Sequence, residues 1–382
     1  MPFELPPNMK HLRRALGVLA IALPLAMASC SEEQPSTEAP PDTGTSAGTD
    51  SGAAASATDD AEARAAAVQA MHDALLVDVV ALAQAAEDIR TAAPLPTGRG
   101  WSATEDAAAI AAMRSAWIRA RTAYEHVEGA LAPLFPDIDT AIDARYDDFL
   151  VTLGAAGDLL PFDDQGITGM HAIERILFID ETPPRVVDFE KTLVGYSPAR
   201  PPATAEEAAA FKDGLCAKLV NDTKTLLGEW APANIDVEIA YSGLVSLVLE
   251  QREKVQKAAT SEEESRYSQR TMRDLRDNLV GSKTVYAAFR PWLLSKPGGA
   301  ELDAAVAAGF DVLEQTYATV EGDAIPAPPS TWSAEAPTPA DLATPFGKLY
   351  AAVEKEVDAN DATSLVGSLE RARELLGLRK LE

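Results

Sequence analysis

A chain of 382 residues, 47% apolar and rich in Ala and Leu, is long enough for one large domain or two ordinary ones and is built from helix formers. Its formal net charge of −26 excludes a nucleic-acid binder, which needs clustered Lys and Arg to release counterions. The charge suits a soluble protein that meets cations, or simply a solvated acidic surface. Two cysteines, Cys30 and Cys216, exclude a disulfide framework.

Residues 1–30 read as an export signal. "MKHLRRALGVLAIALPLAMASC" has a basic start, an apolar stretch too short to span a membrane, and small residues before Cys30. "LAMASC" resembles a bacterial lipobox with Met27 where Leu is usual, so Cys30 is the expected lipidation site. A simple secreted protein is the alternative. The acid in "MPFELPPN" does not belong in a basic n-region and points to Met9 as the start. Residues 31–59, dominated by Ser, Thr, Gly, Pro and acids, read as a disordered tether from the membrane to a folded body.

From residue 60 the pattern turns helical. One long helix is expected over 60–90 and a second over 102–135, opened by Ser102 and Glu105 at capping-box spacing and ended by Pro133. "PDIDTAIDARYDDFLVTL" starts a third, and the loop "PFDDQG" leads into a helix carrying "GMHAIERILF". A Pro-rich crossing follows. Thr204 and Glu207 then open the helix "AEEAAAFKDGLCAKLVNDTKTLLGEW". Further helices are expected at about 235–258, 268–294 and 299–321, then a Pro-rich break and a final helical pair. The reading is an all-α fold of two packed antiparallel helix bundles, over 60–325, with C-terminal helices in 326–382 packing on that domain. Lone Cys216 reads as a small buried hydrophobe.

Only four histidines occur: His11, His72, His126 and His171. His171 and Glu174 stand three apart and share a helix face. The pair could serve a metal, a proton relay or a plain hydrogen bond. Glu125 and Glu128 repeat the spacing in "YEHVE", and Asp137, Asp139 and Asp143 follow within "FPDIDTAIDAR". Carboxylates with one imidazole suit iron, manganese or zinc better than copper(I). Set against this, a lone core His is usually just hydrogen-bonded, and Glu pairs on helices are usually solvated. His126 is expected to point to solvent and His72 to be structural, and Arg145 to neutralise Asp139 or Asp143. There is no HExxH, Arg175 replaces the second His of an HxxEH, and no GxSxG, P-loop or GxGxxG-opened helix appears.

Gly169, His171 and Glu174 match the GxHxxE hallmark of the imelysin-like superfamily, which these stretches resemble. "AWIRARTAYEHVEGALAPLFPDIDTAIDARYDDF" is similar to its EfeO/EfeM-type periplasmic iron-uptake lipoprotein branch, with YExxE, LF and IDAR elements. "ESRYSQRTMRDLRDNLVGSKTVYAAFRPWL" resembles that branch's later segment, with Gln269 where YSH has His. The resemblance covers roughly residues 60–325. It implies a helical fold of two bundles and a metal site using His171 and Glu174, with Glu125, Glu128, Asp143 and, more loosely, Glu250 as further ligands. A departure from that branch is that no cupredoxin-like domain is read ahead of the bundle, so a second copper or iron oxidation site is not expected. The expected function is metal capture or uptake, iron first and zinc or manganese next, by a lipoprotein of the bacterial cell envelope at the periplasmic face or outer membrane. An inner-membrane iron permease and a peroxidase are the implied partners. An imelysin-type metallopeptidase is an alternative, although no complete catalytic motif supports it. A structural or interaction lipoprotein without metal is a third.

Overall fold

The computed structural model describes residues 51–231 and 233–381. The signal, Cys30 and the tether up to residue 50 lie outside the described residues. The first helix, α1 (Ser51–Ala92), starts earlier than the expected residue 60. It buries Met71, Leu75, Val79, Leu82, Ala86 and Ile89, an alternation of three and four that keeps one stripe facing inward. In α2 (Ala107–Leu134), Met113, Trp117, Ala120, Tyr124, Val127 and Leu131 do the same. These two helices pack along each other and against α10 (Thr271–Leu294), while α9 (Val237–Ala258) closes on α2 and α10.

Short elements line one side of this frame: α3 (Pro136–Asp143), α4 (Tyr146–Leu153), α5 (Gly169–Leu177) and α6 (Pro184–Glu190). The next helix runs as α7 (Ala205–Ala210), a π turn at Phe211–Leu215, and α8 (Cys216–Trp230). Beyond α11 (Gly299–Ala318) come α12 (Pro339–Leu342), α13 (Pro345–Glu356) and α14 (Leu365–Leu375), the last two packing on α9 and α11. The architecture is all-α, with no strand among the described residues. The two expected halves share one continuous apolar core, from Met71 and Trp117 through Leu244 and Phe289 to Val353 and Leu369.

Several expectations need correction. Ser102 Oγ does accept the Glu105 amide at 3.2 Å, yet α2 starts only after Asp106, whose carboxylate turns back to the Ser102 amide at 2.7 Å. The third helix is two helices. Arg145 adopts an extended backbone between them, and Asp148 accepts its N–H at 3.2 Å, capping α4. Arg145 therefore pairs with Asp148, leaving Asp139 and Asp143 to other partners. His126 is half-buried, with Nδ1 3.1 Å from Asp78 and Nε2 3.7 Å from Asp277. Burial works against its charge, but the two carboxylates win and push its pKa up to about 9. His72 stacks on Trp230 and sits 3.0 Å from that residue's carbonyl, a structural contact. Cys216 is fully buried, and burial pushes its thiol pKa far up.

Candidate metal centre

Five helices and one loop bring charged side chains to one place: α2, α3, α5, α9, α10 and the α9–α10 loop. A cavity of about 370 Å³ opens there to solvent, walled by Glu128, Asp139, Asp143, Glu250, Lys254 and Glu264. His171 projects from α5 at 1% exposure. Its Nδ1 lies 2.8 Å from Glu174 Oε2, so Glu174 fixes the ring. The other oxygen of Glu174 accepts the Ser268 amide at 2.8 Å and its hydroxyl at 2.7 Å. Both carboxylate oxygens of Glu174 are thus engaged away from the cavity.

That leaves His171 Nε2. It is buried with no hydrogen-bond partner and lies 3.4 Å from Asp143 Oδ1. One ligand atom from each of Asp143, His171 and Glu264 falls within 4.8 Å of the others, and Glu128, Glu250 and Glu264 form a second such group. Glu264 belongs to both. A nitrogen and carboxylate oxygens at this spacing fit a first-row transition-metal ion.

Two buried cations hold the acids together. Arg121 of α2 pairs with Asp143 and Glu125, lies 2.7 Å from Glu264 Oε1, and has Nε 3.6 Å from Asp274. Lys254 of α9 reaches Glu125, Glu128 and Glu264 at 2.8–3.0 Å. Burial alone would raise the Glu264 pKa, but Lys254, Arg121 and His171 hold it well below the usual carboxylate range. At other acids of the centre burial prevails over the same cations. It pushes Asp274 and Asp139 up to about 7, even with the Tyr124 hydroxyl donating to Asp139 at 2.6 Å. Burial and neighbouring Glu128 push Glu250 well above its usual value too. At His171 the neighbouring acids outweigh burial. Burial opposes its charge, but Asp143 and Glu174 raise its pKa to about 9.

The imelysin family model, described as Peptidase_M75, matches residues 68–374, most of the chain. The chain belongs to the imelysin family. Among curated relatives, this imelysin is 28% identical over 182 residues to the iron uptake system component EfeM of Pseudomonas syringae pv. syringae (strain B728a), covering 48% of this chain and 50% of that one. It is 29% identical over 216 residues to the iron uptake system component EfeO of Yersinia pseudotuberculosis serotype I (strain IP32953), covering 56% and 46%. The chain spans about half the length of the curated relatives it matches. The crystal structure of an imelysin-like protein from Psychrobacter arcticum 273-4 superposes with a TM-score of 0.53 at 13% identity, over 85% of this chain and 98% of that one, and shows the same fold.

Of the six metal-ligand candidates read from the sequence, the structure gathers His171, Asp143, Glu128 and Glu250 around the cavity. Glu174 stands behind His171 rather than beside the cavity. Glu125 lies deeper, between Arg121, Lys254 and Asn278, and belongs to neither ligand group among the described residues. Sequence reasoning missed Glu264, because it sits in a loop where helical spacing gives no signal. It missed Lys254 and Arg121 because a lone Lys or Arg on a helix is ordinarily solvent-exposed, and nothing in the spacing marks these two as buried. Gln269, in the place of a YSH histidine, turns away, donating to the Arg266 carbonyl and accepting from Arg185.

The glycine of GxHxxE has a physical reason in this imelysin. Gly169 has φ +84°, and a Cβ there would meet the Ile142 carbonyl oxygen at 2.7 Å and that of Ala141 at 3.0 Å. Its bareness lets α5 start against the last turn of α3, which sets His171 beside Asp143. Gly169→Ala is expected to cost about 1–3 kcal/mol through the positive φ, before counting the clash. Urea denaturation checks this, and a variant as stable as the parent refutes the strain argument.

Proposed function

We propose that this imelysin is a lipid-anchored protein of the bacterial cell envelope that captures iron for uptake. His171 Nε2, Asp143 and Glu264 hold the ion, with Glu128 and Glu250 adding negative charge to the cavity wall. The observation that carries this reading is the buried, unpartnered Nε2 facing two carboxylates. Such an atom costs stability unless something binds it. The iron-uptake names of the EfeO and EfeM relatives supply the choice of iron. Zinc and manganese share the same donor chemistry. An inner-membrane iron permease would take the ion onward, with a peroxidase as a further partner. The proton on His171 would leave as the ion arrives, and the carboxylates of Asp143 and Glu264 would offset its charge.

Equilibrium dialysis of the full chain against ferric citrate, Mn(II) and Zn(II) tests the capture. The parent is expected to bind, and Asp143→Asn to bind at least tenfold more weakly. No binding of any of the three by the parent sinks the reading. The anchor is tested separately. Cys30→Ala should move the protein from the membrane fraction to the soluble one, and unchanged partitioning removes the lipoprotein claim.

A further inference from the structure

Lys254 is the feature of this centre that metal capture leaves unexplained. It is a lysine at 2% exposure on a helix whose neighbours are acids. Its Nζ lies 2.9 Å from Glu125 Oε2, 3.0 Å from Glu128 Oε2 and 2.8 Å from Glu264 Oε2. An ammonium has three N–H donors, and here each one meets a carboxylate. Two of those acids, Glu128 and Glu264, are also two of the three members of the second ligand group, with Glu250 as the third.

We propose that Lys254 is a resident cation that fills the second position, so that the cavity takes one metal ion and not two. The inference rests on the metal-capture reading above. An ion at Glu128, Glu250 and Glu264 would have to share two carboxylates with an ammonium already within 3.0 Å of both. Two cations at that separation, in a partly dry site, repel strongly. At the first position Arg121 also pairs with Asp143 and Glu264, but that position has a nitrogen ligand that the second lacks. That nitrogen is His171 Nε2, buried without a hydrogen-bond partner among the described residues and 3.4 Å from Asp143 Oδ1. Lys254 therefore sets stoichiometry. Its contact with Glu264 Oε2 at 2.8 Å also holds that carboxylate at the cavity wall.

Equilibrium dialysis of the full chain against Mn(II), with elemental analysis of bound metal, tests this on four proteins. The parent should bind one ion per chain and Lys254→Met two. The double variant Lys254→Met/His171→Ala should bind one, held by the freed glutamates. Lys254→Arg, which keeps the positive charge, should stay at one. Thermal denaturation gives a second readout. Mn(II) should raise the melting temperature of Lys254→Met more than that of the parent, because two ions bind only the folded state. If Lys254→Met is unfolded without metal, Mn(II) should restore its fold, since the ion replaces the missing charge. A variant that stays unfolded at saturating Mn(II) overturns the proposal. One ion in both parent and Lys254→Met overturns the role of Lys254 and leaves metal capture standing, as does a parent that binds two. No ion in the parent but one in Lys254→Met overturns capture at His171 and keeps the role of Lys254. No ion in either removes both.

Discussion

Replacing Arg121 by methionine is expected to cost the metal-free protein about 3–5 kcal/mol of folding stability. The guanidinium is 2% exposed and touches Asp143, Glu125 and Glu264, with Asp274 just beyond. Its plane also sits 5.1 Å above the Tyr124 ring. Methionine fills much of the same space, so the loss is mainly electrostatic. Buried carboxylates would face one another with only Lys254 and His171 between them. Removing one partner of a buried network costs far more than the network adds over an apolar core, because the remaining charges stay desolvated. A loss of that size is a large part of the roughly 5–15 kcal/mol that holds a domain folded. Metal should repair part of it, since a bound ion supplies positive charge to Asp143 and Glu264. At about a hundred times its dissociation constant, an ion restores about 2.7 kcal/mol. Urea denaturation with and without Mn(II) reads both effects. A metal-free variant within about 1 kcal/mol of the parent would falsify the view of Arg121 as the hub of the site.

Much of this fold was legible because α1, α2, α9, α10 and α11 carry strong helical periodicity, and periodicity needs no tertiary information. Boundaries were less so. Ser102 offered a capping spacing, but Asp106 spends its carboxylate on Ser102 and Arg99, which holds the chain out of a helix until Ala107. The break at Arg145 was hidden because "IDARYDDF" holds no Gly or Pro to mark it, and only the Asp148 cap shows where the helix restarts. The site divides along the same line. His171 and Glu174, like Glu125 and Glu128, were readable as shared faces. Which member of each pair meets the cavity depends on what packs behind it. Ser268 draws Glu174 back. Arg121, Lys254 and Asn278 draw Glu125 inward. Glu264 joins two ligand groups from a loop pinned just beyond it by other contacts, with Tyr267 bonded to Glu190 and Arg266 to Asp147. None of those partners is near it in sequence.

The second large effect is expected at His171, and it separates the residue that binds from the residue that positions. His171→Ala should weaken Mn(II) or Zn(II) binding by about 10–100-fold, taking the loss of a supporting contact as a floor for losing a ligand. The pH dependence carries more information. With its pKa raised to about 9, the free imidazole is protonated at neutral pH, and the metal must displace that proton. Parent affinity should therefore rise by about tenfold per pH unit up to about 9 and then level off. In His171→Ala that rise should flatten. Glu174→Gln should weaken binding by a similar order without removing any ligand. The glutamine oxygen would stay with the two Ser268 donors, leaving its NH₂ to face Nδ1. Nδ1 would then have to accept, which places the ring proton on Nε2, the atom the ion needs. The variant would keep its fold and its histidine and present the wrong tautomer. Calorimetric titrations of the three proteins across pH 6–9 decide the matter. Parent-like affinity and parent-like pH slope in both variants would mean that His171 and Glu174 form a core hydrogen bond and nothing more.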